Sequence, residues 1–250
     1  MSKLNNENPS LPMRISCGAS KKMEFKQYSN SAYGSIEWNS ISSNTKIYFG
    51  NHFQLNRLNL MFGYAVSENE FSKIVAQFAE TTSSWGGYRQ VGCFGLSTTQ
   101  IKWKCKVCEE LNIKQIQITL PFWKELTDDE LDVFFSELCG EFQDLEFLLY
   151  NNPRNKRRLK GEELECLHRK NNNLIAAKTG SGNWMEIYEL LNNSPSINHF
   201  LTEASFSYGY QINRIGFIPS YHYVFPDRCR SFYEAVVSND LELCLLYTSP

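Results

Sequence analysis

The sequence predicts an α/β fold in which helices and strands alternate along the chain and the strands run parallel. Two observations support this prediction. From residue 67 onward, amphipathic stretches with helical spacing are followed regularly by short apolar or alternating stretches, which is typical of βα units and not of a bundle or a sandwich. The segment 174–178 is almost entirely apolar, as expected for a strand that is covered on both faces.

Two capping boxes mark helix starts clearly. In Ser67-Glu-Asn-Glu70 and Thr127-Asp-Asp-Glu130, a hydroxyl residue stands three positions before a glutamate, so that each side chain can bond the backbone N–H of the other. Residues 71–78 then place apolar side chains at helical spacing. We predict helices over residues 67–82, 98–111, 127–138, 161–170, 184–191, 205–211 and 226–237.

Six strands are predicted between these helices. Residues 114–119 alternate between polar and apolar side chains, and residues 145–150 are mostly apolar between polar turns. The six predicted strands are residues 89–94, 114–119, 145–150, 174–178, 198–201 and 215–219. Because repeated βα units commonly close into an eight-stranded barrel, we predict a (β/α)8 TIM barrel.

Closing this barrel requires two further strands from the first 66 residues. The candidates are Met13–Cys17 or residues 33–38, followed by Lys46–Phe49, and the irregular spacing there predicts divergent βα units. Residues 1–12 are predicted to be a disordered or extended tail, and residues 13–242 a single barrel domain. Residues 243–250 resemble translated sequencing adapter and are a candidate non-native tail.

Composition and charge argue against several classes of partner. The formal net charge of −2 gives no broad basic surface for nucleic acid. No segment approaches the roughly 20 apolar residues of a membrane span, and residues 1–12 contain no signal-peptide core. We therefore expect a soluble, cytoplasmic protein that binds neither nucleic acid nor membrane.

The eight cysteines are scattered through apolar surroundings. Cys105 and Cys108 form a single Cys-x-x-Cys within a predicted helix, and no second pair or His-x3-His follows at zinc spacing. We expect reduced and mostly buried thiols, and no metal.

Candidate catalytic residues stand where two predicted strands end, because the working residues of a parallel barrel cluster at the carboxyl ends of its strands. Tyr150 ends one strand and Lys178 ends the next. Burial lowers the pKa of a lysine ammonium, so Lys178 is expected to offer a neutral amine that attacks a ketone. A tyrosine hydroxyl within hydrogen-bond distance can move the protons. Taken singly, a lysine in this position often points to solvent, and a tyrosine is often a core residue with a hydrated hydroxyl.

The segments around these two residues resemble those of a known family. Residues 148–153, Leu-Leu-Tyr-Asn-Asn-Pro, are similar to its Tyr-Asn-x-Pro motif, and residues 175–183, Ile-Ala-Ala-Lys-Thr-Gly-Ser-Gly-Asn, to its (I/L)-K-x-x-(S/T)-G-(D/N) motif. Tyr150 and Lys178 are 28 residues apart, which suits that layout. Over residues 67–242, the chain thus resembles the dihydrodipicolinate synthase and N-acetylneuraminate lyase family of pyruvate-dependent class I aldolases.

The resemblance implies a TIM barrel in which Lys178 forms a Schiff base and Tyr150 relays protons. It implies a lyase that makes or breaks a carbon–carbon or carbon–oxygen bond without a cofactor. The expected substrates are pyruvate or a related 2-oxo acid and an aldehyde. The family is typically tetrameric, so a homo-oligomer is also implied.

The chain departs from the family's pattern in several places. It has no Gly-Thr-Thr-Gly-Glu segment to hold the substrate carboxylate, and comparison with the family's pattern predicts truncated C-terminal helices. Trp123 replaces a tyrosine of the proton relay, and Asn155 falls where the synthases place an arginine that grips a second carboxylate. Residues 154–158 carry four cations that either attract an anionic acid or form a solvated basic loop.

Three functions are therefore open. The first is a Schiff-base-forming aldolase or lyase, and the second is a catalytically impaired barrel that acts as a binding or assembly subunit. The third treats Gly180-Ser181-Gly182 as a phosphate site of a nucleotide or sugar-phosphate binder, although the segment lacks the longer glycine motifs.

Overall fold

A computed structural model describes residues 67–83, 88–213, 215–220, 225–240, 242 and 244 of the 250-residue chain, together with backbone strands between residues 13 and 58. All seven helices predicted from the sequence are present. They are α1 (Glu68–Thr82), α2 (Thr98–Glu110), α3 (Asp128–Glu141), α4 (Gly161–Lys170), α5 (Trp184–Asn193), α6 (Phe206–Ile212) and α7 (Pro226–Val237).

The strands before residue 67 are β1 (Met13–Cys17), β2 (Ile36–Ser42), β3 (Lys46–Phe49) and β4 (Asn51–Leu58). The strands after it are β5 (Tyr88–Gly92), β6 (Gln115–Ile118), β7 (Glu146–Asn151), β8 (Leu174–Thr179), β9 (Asn198–Leu201) and β10 (Gly216–Phe217). The six strands predicted after residue 85 are therefore confirmed, with ends that differ by a few residues.

Strands β5 to β10 form one parallel sheet in chain order, and helices connect them. This order confirms the α/β fold and the succession of βα units. β4 extends the sheet by pairing parallel with β5.

The strands before residue 67 depart from the expected βα pattern. β1 and β2 pair antiparallel, and β4 pairs antiparallel with both β2 and β3. Strands of consecutive βα units are parallel, so among the described strands before residue 67 only β4, through its pairing with β5, follows the predicted pattern. The predicted tail over residues 1–12 and the candidate strand at residues 33–35 lie outside the described residues.

Both predicted capping boxes form. The side chains of Ser67 and Glu70 bond each other's backbone N–H groups, and those of Thr127 and Glu130 do the same. Each box satisfies N–H groups that a helix start would otherwise leave without a partner, which is worth about 1 kcal/mol. These boxes fix the starts of α1 and α3 locally.

The main core lies between the sheet and the helices. Alternate strand residues, such as Ile116, Leu149 and Ala177, contact apolar faces of the helices. A second, smaller cluster of Leu148, Ala176, Phe200 and Ile218 lies apart from this core. Because strand side chains alternate between faces, the small cluster marks the sheet face turned away from the helices.

Within the described residues, no helix is long and apolar enough to cross a membrane. The seven cysteines with described side chains are free thiols, and all but Cys166 are buried. Their burial agrees with the expectation of mostly buried thiols.

Candidate functional site

Lys178 and Tyr150 lie side by side on neighbouring strands. The register pairs Tyr150 of β7 with Lys178 of β8, close to the carboxyl ends of both strands. The Lys178 side chain is buried, and its Nζ stands 4.6 Å from the centre of the Tyr150 ring. An ammonium over a ring face at this distance makes a cation–π contact. The two residues singled out from the sequence are thus brought together.

Both side chains share the sheet face turned away from the helices. Leu148 and Ala176, two positions earlier on the same strands, belong to the small apolar cluster on that face. Phe200 of β9 pairs in register with Lys178 on the other side. Lys178 therefore stands between a phenol on β7 and an apolar ring on β9.

The ring of Phe200 occupies space above β10 because Gly216 has no side chain. A Cβ at Gly216 would lie 2.2 Å from Cδ1 of Phe200, well inside van der Waals contact. The glycine thus allows the ring to lie flat against the neighbouring strand.

Buried asparagine side chains hold the backbone around Tyr150. The amides of Asn152 and Asn155 donate to the Tyr150 carbonyl at 3.3 and 3.1 Å. Asn151 donates to the carbonyl of Leu159 at 2.8 Å and accepts from its N–H at 2.9 Å. Asn155 is 3% exposed and its amide bonds the backbone, so its side chain is placed to hold the chain near Tyr150 and not to bind a substrate carboxylate.

The four cations of residues 154–158 divide into two pairs. Arg157 forms ion pairs with Asp128 and Glu163, and Arg158 Nη2 lies 2.6 Å from a Glu186 oxygen. Arg154 and Lys156 are exposed. Two of the four positive charges are therefore paired with carboxylates. The positive electrostatic potential of residues 154–158 at the strand ends is weaker than the sequence suggests.

The glycine-containing loop after β8 is a poor phosphate site. Ser181 Oγ donates to Glu186 at 2.7 Å, which places a carboxylate beside the loop. The Asn183 side chain already accepts from the N–H groups of Met185 and Glu186, at the start of α5. A phosphate would meet a like charge and N–H groups that are already bonded, so the geometry disfavours the phosphate-binding function.

Phe200, Thr119 and Gln117 were not singled out from the sequence. Thr119 and Gln117 are buried in and just after β6, and Gln117 pairs in register with Leu148. The alternation of side chains along each strand could have assigned these residues to the sheet face that carries Lys178. Only the register between strands shows that Phe200 is the direct neighbour of Lys178. Trp123, by contrast, is 63% exposed and donates its indole N–H to the Leu96 carbonyl at 3.0 Å.

Among the residues with described side chains, no group of three or more His, Cys, Asp or Glu is arranged to hold a metal ion. The Cys-x-x-Cys of Cys105 and Cys108 is buried in α2.

The fold is similar to that of many solved structures. One is YagE from E. coli K12, a prophage protein of the dihydrodipicolinic acid synthase family in complex with pyruvate, with a TM-score of 0.66 and 13% identity over 73% of this chain and 62% of that one. Another is 4-hydroxy-tetrahydrodipicolinate synthase from Methylacidiphilum fumariolicum, with a TM-score of 0.66 and 19% identity over 73% and 62%. A third is PhdJ bound to a substrate intermediate, with a TM-score of 0.69 and 14% identity over 78% and 62%.

At these identities, the likeness shows the fold. The chain spans about three fifths of the length of each of these structures. No family model matches the sequence. No curated protein matches it either.

Proposed function

We propose that this chain, whose fold is that of dihydrodipicolinate synthase family structures, is a Schiff-base-forming aldolase or lyase that acts on pyruvate or a related 2-oxo acid. The observation that carries the proposal is the pairing of buried Lys178 with Tyr150 at the carboxyl ends of β8 and β7. Because the structural neighbours are less than 20% identical to this chain, the proposed reaction is argued from Lys178 and Tyr150 and not from the neighbours' activities. We also propose that the sheet closes into the predicted eight-stranded barrel.

In the proposed reaction, neutral Lys178 Nζ attacks the keto carbon and forms a carbinolamine. Loss of water gives an imine, and loss of a proton from the adjacent carbon gives an enamine. The enamine carbon adds to an aldehyde, and water then releases the product and regenerates the amine. Cleavage is the same sequence in reverse.

Tyr150 is the proposed proton carrier for these steps. The Tyr150 side chain is the neighbour of Lys178 in the register, and the Lys178 amine lies over its ring. The hydroxyl would give a proton to the departing water and take one back during enamine formation.

On its β9 side, Lys178 is lined by Phe200, which belongs to the apolar cluster with Leu148, Ala176 and Ile218. Burial beside this cluster keeps water away from the amine, and the proposed reaction uses its neutral form. The proposed substrates are thus a small 2-oxo acid and an aldehyde. A homo-oligomer and a cytoplasmic location remain part of the proposal.

Borohydride trapping tests the proposal directly. Incubation of the full chain with pyruvate and borohydride should reduce the imine to a stable pyruvyl adduct, which peptide mass spectrometry places on Lys178. Lys104 is a useful internal control, since it is also buried and burial lowers its pKa, but it lies between the sheet and the helices. Lys178→Arg keeps the positive charge and should abolish the adduct.

An adduct on Lys104 or on exposed lysines alone would contradict the proposal. No adduct in a preparation shown to be folded would favour the impaired barrel that acts as a binding or assembly subunit.

A further inference from the structure

Three buried thiols meet where β5 ends. Cys93 directly follows β5, and Cys105 and Cys108 lie three residues apart on α2, which places them on one helix face. All three side chains are fully buried. The sulfur atoms of Cys93 and Cys108 are 3.7 Å apart, and Cys93 also accepts a hydrogen bond from the Cys105 thiol. The proposed aldolase chemistry uses none of these groups.

The surroundings shift the pKa values of the three thiols in different directions. Burial alone raises the pKa of Cys93, but hydrogen bonds from Cys105 and Cys108 and the positive charge of Lys104 outweigh it and lower this pKa. The pKa of Cys105 is raised by its hydrogen bond to Cys93 and by burial, and that of Cys108 by burial and its hydrogen bond to Cys93. Among the three thiols, Cys93 is therefore the one whose lowered pKa favours the thiolate form, and a thiolate is the nucleophile in sulfur oxidation.

The cluster is connected to the loop that follows β5. The Lys104 ammonium donates to the Phe94 carbonyl and lies 5.2 Å from the centre of the Phe71 ring. Two residues further on, the Leu96 carbonyl accepts the indole N–H of Trp123. The cluster therefore borders a loop at the same sheet end as Lys178.

We propose that Cys93 and Cys108 are an oxidation site, and that a peroxide converts them into a disulfide that ties the end of β5 to α2. The Cys93 thiolate attacks the peroxide O–O bond and becomes a sulfenic acid, while the leaving oxygen departs as water after protonation. Cys108 then attacks the Cys93 sulfur and displaces the second water. With hydrogen peroxide, two thiols yield one disulfide and two water molecules.

The geometry requires only a short movement. The two sulfur atoms must approach from 3.7 Å to the bond length of about 2.05 Å. Because the thiols are fully buried, peroxide reaches them only when the contact between α2 and the sheet opens locally. The rate of oxidation is therefore low and is set by the frequency of this opening.

The test is peptide mapping of the oxidised full chain. The protein is treated with hydrogen peroxide, its remaining thiols are blocked with N-ethylmaleimide, and a non-reducing digest is analysed by mass spectrometry. The expected product is a peptide pair joined through Cys93 and Cys108 that dithiothreitol separates. The melting temperature should rise by several degrees, because the bond closes a loop of about 15 residues in the unfolded chain.

Three variants serve as controls. Cys105→Ser should retain the bond, and Cys108→Ser should lose it and leave Cys93 as a sulfenic or sulfinic acid. Cys166→Ser removes the one exposed cysteine among those with described side chains, and with it any bond between molecules through that position. If Cys108→Ser does not fold, the wild-type map still identifies the bonded pair.

A bond that joins Cys105 to either neighbour would overturn the proposal. The same holds for a folded protein in which Cys166 is oxidised while Cys93 and Cys108 both react with N-ethylmaleimide after unfolding.

Discussion

At the scale of single residues, the site depends on what surrounds Lys178 and Tyr150. Lys178 is 8% exposed and lies between the Tyr150 ring and Phe200 on neighbouring strands. The Tyr150 backbone is fixed by two asparagine amides. The site therefore combines a buried amine with a tyrosine whose main chain is held rigidly, which favours fixed geometry over adjustment.

The role proposed for the Tyr150 hydroxyl predicts the effect of Tyr150→Phe. The phenyl ring preserves the contact with Lys178 but cannot carry a proton, so imine formation with pyruvate should slow by about 10²-fold or more. Rapid mixing followed by borohydride trapping measures this rate.

Tyr208→Phe is the matched control for this change. Tyr208 donates to the Ser181 carbonyl at 3.4 Å, in the loop after β8, and it takes no part in the proposed proton transfer. The control should trap pyruvate at close to the wild-type rate. An unchanged rate in Tyr150→Phe would remove Tyr150 from the mechanism.

At the scale of elements, buried polar groups join α4, α5 and β9. His199 of β9 is 3% exposed, and its Nε2 lies 2.9 Å from the Ser194 hydroxyl at the end of α5. Glu165 of α4 accepts from the N–H and hydroxyl of Ser196 in the turn between α5 and β9. These bonds fix how the two helices sit against the strand.

Burial lowers the pKa of His199 to about 4. The hydrogen bond to the Ser194 backbone and the negative charge of Glu165 raise this pKa, but by less than burial lowers it. The unfolded chain takes up this proton near pH 6.5, before the folded protein does. This contribution to stability is thus complete above pH 6.5 and is lost as the pH falls towards 4. The shift corresponds to roughly 3 kcal/mol.

We predict that His199→Gln removes this part of the pH dependence. The free energy of unfolding, measured with urea between pH 7 and pH 4, should fall less steeply in the variant than in the wild type. His168→Gln, at a half-buried position of α4, is the control for the replacement of a histidine by glutamine. Equal slopes for wild type and His199→Gln would contradict the prediction.

At the scale of the whole molecule, an aromatic cluster packs the last helices against the sheet. Phe206 of α6 is fully buried, and its ring stacks on Phe217 of β10 at 4.5 Å and on Tyr233 of α7 at 5.6 Å. Phe232 of α7 also contacts the rings of Phe206 and Phe217. The Phe206 side chain thus connects three successive elements, α6, β10 and α7.

Phe206→Ala should therefore lower the free energy of unfolding by about 3–5 kcal/mol, because it leaves a large cavity among rings that cannot close over it. Chemical denaturation measures the loss. Phe225→Ala, at a ring that is 49% exposed, should cost less than about 1 kcal/mol. Equal losses for the two variants would show that the cluster does not hold the helices.

The sequence by itself determined the βα order after residue 67, and most element bounds to within a few residues. Helix starts depend on local hydrogen bonds such as those of Ser67 with Glu70, and strands such as Leu174–Thr179 depend on short apolar runs. Both signals are local and can be seen in the residues. Tyr150 and Lys178 could be found because each stands at the end of such a strand.

Only the tertiary structure decided which side chains are neighbours. The register places Phe200 beside Lys178, folding brings Cys93 against Cys108, and ion pairs with Glu163 and Glu186 neutralise Arg157 and Arg158. The antiparallel pairing of the strands before residue 67 was likewise not predicted. These contacts join residues of different elements or loops. Side-chain alternation assigns each residue to one face of its strand, but it does not show which residues of other elements lie opposite that face.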